Sequence, residues 1–420
     1  MKRRTFLRSA LATTGVAALA GPLAACGSSG GSTASDGPVT LTIGNSQWLD
    51  ALRGKNLWNA VVAYQTVNPK VTLAQEAIPS ADFANKITTE LGAGKGPDVI
   101  LMQDGLFVTA AASDALVDLG ELSGTPGLNV TNNAGMVGNT RYGVAWQRAG
   151  YALVYNKKLL ERAGVGAPPT TVDALIAAAR QVTASTGAIG FATRHLMSDF
   201  SGWYMDYQNW NYGYGGSFAA NGKLTIASAP NVAALTAYKK VYDAKIIPIG
   251  DDMPTMRTRF KEGNVGFILD NSGGTLNMAL GGSVASADVG AAPLPFPNPA
   301  AAQQILVGVN ANSANQDAAK AFVKWLISSA GQAGLRAASG PDTLATDVPL
   351  TADFTAQSPW GTTFATVAPK EGSLLVPGFE VKTAAIMRPV MQAVEQVLLK
   401  NADPATALTS AQSLAEQVAR

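Results

Sequence analysis

The sequence predicts an α/β protein, and three observations carry that prediction. Segments rich in β-formers alternate with segments of helical periodicity along the chain. Several short apolar runs are continuous, as in strands covered on both faces. Hydrophobic residues make up 47% and charged residues 14% of the 420, ample for sizeable cores and far from a disordered polyelectrolyte. That length suits two domains once a leader is set aside, at roughly 150 residues per domain.

Val39 to Ile43 alternates and is β-rich, which makes it a strand. In the helix that follows, Leu57, Val61 and Tyr64 share a face, and Pro69 ends it. Val71 to Ala74 is the second strand. Ser80 is placed to cap the next helix, with Phe83, Ile87 and Leu91 at four-residue steps and Gly92 at its end. Gly96 to Met102 is a turn followed by a buried strand. Tyr151 to Tyr155 is a strand, and Thr170 or Thr171 caps a helix carrying Leu175, Ile176, Ala179 and Val182. Pro230 starts another helix, with Leu235, Tyr238 and Val241 inward. Asn264 to Leu269 is a short buried strand, and Asp317 to Ser328 is a helix. Residues 293–302 (PLPFPNPAAA) form a connector. Pro389 should start or kink the helix between Ile386 and Leu399. Asp403 and Pro404 open the last helix, whose apolar face is Leu408, Ala411, Ala415 and Val418.

The first residues read as an address. Lys2, Arg3, Arg4 and Arg8 precede a mildly apolar run from Ala10 to Ala25, too short to span a bilayer. The pair Arg3-Arg4 is similar to a twin-arginine export signal. Leu23-Ala24-Ala25-Cys26 resembles a bacterial lipobox, in which Cys26 becomes the acylated first residue. The expected signal is therefore 1–25, followed by a Gly/Ser-rich tether over 26–37. Four of the 31 basic residues and none of the 29 acidic ones lie in 1–25, which leaves 27 against 29, a net charge of −2.

Composition excludes several chemistries. The charge balance gives a nucleic-acid partner no support. One Cys and one His allow no internal disulfide and no Cys- or His-rich metal site, and no cofactor is expected. The lone His195 reads as a hydrogen-bonded structural residue. No Walker motif is present, and the one G-x-S-x-G match, Gly27 to Gly31, lies in the tether rather than at a strand-to-helix turn.

A series of segments then resembles a known family in order: Gly94-Lys95-Gly96-Pro97-Asp98-Val99; Tyr142 to Gln147; Tyr155-Asn156-Lys157-Lys158; Ala163-Gly164-Val165 with Pro168 to Leu175; Tyr214 to Phe218; Phe260 to Phe267; and Ala318 to Leu326. The chain is similar to the extracytoplasmic solute-binding proteins of ABC importers, in the maltose- and oligosaccharide-binding branch. The resemblance implies a two-lobed periplasmic-binding-protein-like fold (class II), each lobe a sheet flanked by helices. It implies an N-lobe of 38–148 plus 302–343, a C-lobe of 149–301 plus 344–420, and three hinge crossings, near Trp146 to Ala152, in the Pro-rich connector and near Gly340 to Val348. The chain departs from the family at Val144, where a proline is usual, and at Asp270 to Thr275, where a common aromatic is missing.

The implied function is a lipid-anchored, non-enzymatic monomer that captures a small solute, most simply a mono- or oligosaccharide, and delivers it to the transmembrane subunits of an ABC permease. Sugar recognition needs flat rings against C–H faces and carboxylates, amides or arginines against hydroxyls. The expected ligand-binding residues are Gln47 and Trp48 after the first strand, Gln103 and Asp104 after the third, Trp146 and Arg148 at the first crossing, and Trp203, Asp206 and Tyr207 on one helix face. Asn271 and Glu380 complete the set. Two alternatives stay open: the same fold serving a sensor or adhesin without transport, and an exported glycoside hydrolase, whose two carboxylates composition alone does not exclude.

Overall fold

The computed structural model describes residues 37–420. The expected export signal with Arg3 and Arg4, and the expected acylation site Cys26, lie outside the described residues. In chain order the principal strands are β1 (Val39–Asn45), β2 (Val71–Ala77), β3 (Val99–Gln103), β4 (Gly143–Ala149), β5 (Tyr151–Asn156), β6 (Ile189–Ala192), β7 (Val265–Asn271), β8 (Val289–Ala292), β9 (Ala301–Val309) and β10 (Gly372–Ser373). The principal helices are α1 (Ala51–Val62), α2 (Ser80–Gly92), α3 (Asp104–Ala112), α4 (Val172–Thr186), α5 (Phe200–Gly213), α6 (Ala229–Asp243), α7 (Met253–Lys261), α8 (Ser272–Ala279), α9 (Gln316–Leu326), α10 (Thr383–Lys400) and α11 (Pro404–Ala419).

Two sheets divide these strands. In the first, β1 lies between β2 and β3 and is parallel to both; β9 is antiparallel to β3 on one edge and to β4 on the other. The second has the order β8-β5-β7-β6, with β7 antiparallel to β5 and parallel to β6. Helices cover both. The first four residues of β3 are all buried, which explains its unbroken apolar run. On α9, Ala319, Phe322, Val323 and Leu326 form the buried stripe, each large side chain contributing about 1.5–3 kcal/mol by leaving water.

Helix ends follow local chemistry. Thr171 caps α4, its hydroxyl oxygen accepting from Ala174 N at 3.2 Å. Asp403 caps α11 by accepting from Thr406 N at 2.9 Å. Three expectations differ in detail. Ser80 is the first residue of α2 rather than its cap, and Pro79 stands at the cap position. Pro389 neither starts nor ends α10, which begins at Thr383. The missing N–H is outweighed there by a buried face that includes Ile386, Val390, Val394 and Val397. Val418 is 44% exposed and does not join the apolar face of α11.

The chain crosses between the sheets at three places. β4 passes directly into β5 through Gly150. Any side chain there would collide, since a methyl built on it would sit 2.9 Å from Glu371 Oε2 and 3.0 Å from Ala368 Cβ. Residues 293–300 carry the chain from β8 back to β9. Beside the first crossing, Arg148 N donates to Thr343 O at 2.7 Å and Thr343 N donates to Arg148 O at 2.9 Å. Beyond it, Thr363 Oγ1 donates to Ala291 O of β8 at 3.0 Å, and β10 then returns to pair with Ala301–Ala302.

Candidate ligand-binding seam

The carboxyl ends of β1 and β3 in the first sheet meet the carboxyl ends of β6 and β7 in the second, with Gly150 between them. This is where open α/β sheets place ligands. The two lobes touch along this seam. A methyl built on Gly273 of α8 would lie 2.8 Å from Arg53 Nη2 of α1, and one built on Gly105 of α3 would lie 3.5 Å from Tyr204 Oη of α5.

Buried charge concentrates in the seam. Arg53 bonds Asp50 at 3.0 Å, Gln147 Oε1 at 3.3 Å and Asp342 at 3.4 Å, and Asp342 also accepts from the Ser272 hydroxyl. Arg257 grips Asp270 with two bonds of 2.7 Å, a charge-assisted fork. Arg194 donates to Asp206 at 2.7 Å and to Asp199 at 2.8 Å. The Arg148 guanidinium donates to the Glu371 carbonyl, while both carboxylate oxygens of Glu371 face Tyr151 N, at 3.2 and 3.3 Å.

Desolvation governs the protonation of these acids. Burial pushes Asp104 up to about 7, against the opposing pull of Gly105 N–H and the Arg148 charge. Burial pushes Glu371 up to about 8 against Tyr151 N–H and Arg148. Asp342 and Asp206 are raised for the same reason, although Arg53 and Arg194 respectively oppose the rise.

The expected residues divide between seam and core. Asp104 is 3% exposed at the start of α3 and meets the Tyr204 side of the second lobe. Gln47 is buried, and its Oε1 accepts from Asn45 Nδ2 at 3.2 Å and from Trp146 Nε1 at 2.9 Å. Gln103 ends β3 and is half-buried. Arg148 is half-buried at the hinge. Asp206 lies in the charged cluster. Asn271 caps α8 through Gly274 N at 2.8 Å and reaches Gln303 Oε1 of β9 at 2.9 Å, linking the lobes.

Five expected residues are corrected in geometry. Trp203 is 1% exposed, donates to Tyr238 Oη at 3.1 Å and packs in the second-lobe core. Tyr207 is packed beside it, stacked on Phe218 at 6.4 Å between centroids. The face read on α5 exists, but its rings turn inward. Trp48 and Trp146 lie edge to face at 6.2 Å within the first-lobe core. Glu380 is exposed and accepts from Gly378 N at 2.8 Å, a turn contact. The late loop does reach the seam, but it contributes Glu371 instead.

The seam also holds Arg53, Tyr151, Arg194, Tyr204, Arg257, Asp270, Asp342 and Glu371, which the sequence alone does not single out. The strand-end rule reaches Asp270, beside the carboxyl end of β7; Tyr151 opens β5 and comes to the same seam because β5 runs antiparallel to β7. The others sit on helices or in long loops without a local pattern. His195 behaves as read: its Nε2 accepts from Gly250 N at 3.0 Å, so Nδ1 carries the proton toward Thr193 O at 3.1 Å.

Comparison with known proteins gives a consistent picture. Residues 52–333 match the family of bacterial extracellular solute-binding proteins. The diacetylchitobiose binding protein DasA of Streptomyces coelicolor is 26% identical over 365 residues, covering 79% of this chain and 81% of its own. The GacH receptor of Streptomyces glaucescens superposes with a TM-score of 0.78 at 22% identity, over 91% of this chain and 98% of its own. Maltose-bound MalE3 of T. maritima superposes with a TM-score of 0.79 at 20% identity, over 90% and 99% respectively. With two lobes, a three-crossing hinge and a match over most of its length, the chain belongs to the bacterial extracellular solute-binding protein family.

Proposed function

We propose that this protein is the carbohydrate-binding component of an ABC import system. It takes a mono- or oligosaccharide into the seam between its lobes, closes on it and presents it to a membrane permease. The observation that carries this reading is the seam itself. Carboxylates, guanidinium groups and carboxamides from both lobes and the hinge converge on one desolvated surface, the donor and acceptor set that sugar hydroxyls pair with. Relatives bind such ligands: DasA is named for diacetylchitobiose, GacH was solved with acarbose and MalE3 with maltose. No covalent chemistry is required of the chain, since capture and release suffice. The Arg3-Arg4 pair and Cys26 fit twin-arginine export and a lipid tether on the outer face of the cytoplasmic membrane.

The test is thermal unfolding of the purified protein against a panel of sugars, polyols and amino acids. A ligand at a hundred times its dissociation constant stabilises by about 2.7 kcal/mol, a readily measured shift. A shift with a saccharide that is recovered unchanged supports capture without hydrolysis. A well-folded sample that responds to amino acids alone overturns the carbohydrate reading.

A further inference from the structure

Capture by closing needs something that draws the lobes together, and the seam holds such a contact. We infer that Arg53 of α1 is an interlobe latch: its guanidinium, seated on Gly273 of α8 and tied to Ser272 through Asp342, favours the closed form before any solute arrives. The inference rests on the proposed function only for what closure serves.

Arginine seldom leaves water unless it is paired. Arg53 sits on a first-lobe helix, yet only 4% of it is exposed. Part of its cover comes from the second lobe. A methyl built on Gly273 would lie 2.8 Å from Nη2, 3.1 Å from Cζ and 3.4 Å from Nη1, so this glycine backs directly onto the guanidinium group. Gly273 has no left-handed φ that would call for glycine. What requires it is the close approach of Arg53. The guanidinium is held where it lies. Nη1 donates to Asp50 at 3.0 Å, and Nη2 donates to Gln147 Oε1 of β4 at 3.3 Å and to Asp342 at 3.4 Å. Asp342, on the third crossing, is 1% exposed and accepts from Ser272 Oγ with its other oxygen. One bonded path therefore runs from α1 through the crossing to the first turn of α8. The contact continues past the far end of α8, where a methyl built on Gly281 would lie 3.4 Å from Leu52 Cδ1.

The net pull of such a latch is modest. A buried ion pair gives up hydration that largely offsets its attraction. Arg53 Nε adds to the cost, because it is buried with no partner among the described residues. The latch also pulls against Asp104 and Glu371, whose burial opposes closure. A balance this close is one that a captured solute can decide by adding its own contacts to the closed form. Arg53 is in this sense a positioning residue: it acts on capture through the lobes it joins.

Small-angle X-ray scattering on the purified, unliganded full-length protein tests this. No saccharide is used, so failure of the latch and failure of the carbohydrate reading are separate results. Arg53→Ala removes the latch. Gly273→Ala fills its seat while favouring the helix that carries it. Each variant should show a larger radius of gyration than wild type, with its circular dichroism unchanged. The double variant should scatter like Arg53→Ala alone, because the added methyl then enters space the guanidinium has left. Should Arg53→Ala fail to fold, Gly273→Ala decides by itself. Scattering that superimposes on wild type for either folded variant overturns the latch. A further expansion when Gly273→Ala is added to Arg53→Ala overturns the seating of the guanidinium on Gly273, and the proposal with it.

Discussion

Glu371→Gln offers the sharpest test of how the seam is charged. The wild-type carboxyl ordinarily titrates at 4.5, and burial raises it to about 8 in the fold. The folded state therefore holds this proton more tightly than the unfolded chain does. Its stabilising contribution is complete below pH 4.5 and is lost as pH rises through about 8. At ~1.4 kcal/mol per pKa unit, the loss between pH 6 and pH 9 from this one group is about 3 kcal/mol. Glutamine keeps the shape, and its carbonyl oxygen can still accept from Tyr151 N, but it has no proton to lose. Over that range the variant should retain the slopes of the other raised carboxyls, about 1.4 kcal/mol each for Asp104 and Asp206 at about 7, with a further contribution from Asp342. Urea unfolding at pH 6, 7.5 and 9 measures both proteins. Wild type should fall more steeply, and the difference between the two curves should widen from pH 6 to about 8 and level off above it. Parallel curves would refute the claim that Glu371 is a desolvated, proton-holding group.

Other consequences follow from the packing. Trp203→Ala should destabilise the second lobe by about 3–5 kcal/mol in chemical denaturation, because it empties a core site and removes the donor to Tyr238 Oη, which keeps only its bond to Arg194 O. Arg257→Ala should cost about 3–5 kcal/mol by stranding Asp270, and adding Asp270→Asn should recover part of that loss. Asp403→Ala, at an exposed cap far from the seam, should lower the thermal unfolding midpoint slightly and leave ligand affinity unchanged.

Much of the architecture was legible because its signals are local. The alternation in β1, the unbroken run of β3 and the Thr171 and Asp403 caps each need only a few neighbouring residues. Loops after strands are equally readable, and Asp104, Gln47 and Asn271 do lie at the carboxyl ends of β3, β1 and β7. Orientation was not readable. Helical spacing shows that Trp203, Asp206 and Tyr207 share a side of α5, but nothing in the spacing says whether that side meets a core or a cleft. Here the rings pack under the sheet, and Asp206 alone finds charge, from Arg194 twelve residues earlier. Partner choice across the fold was further out of reach. Arg53 and Asp342 are 289 positions apart, and only the meeting of α1 with the third crossing pairs them.

The same geometry explains why the buried acids of the seam do not stand out in the sequence. An isolated Glu371 in a late loop looks like any solvated acid, and Glu380, nearer the family-like turn, looks the better candidate. What distinguishes Glu371 is the tight passage at Gly150, which brings Tyr151 N against its carboxylate and shuts out water. That passage is also the hinge. In the proposed closing motion, parting of the lobes lets solvent reach the carboxylates at their rims and restores their ordinary ionisation. When they close empty, Asp104 and Glu371 must take up protons, a cost that rises with pH. A ligand whose polar groups replace the lost solvation removes that cost only in the closed form, and a ligand shifts a conformational equilibrium by its differential affinity for the two states. The carboxylates thus oppose closure over nothing and favour closure over a matching solute.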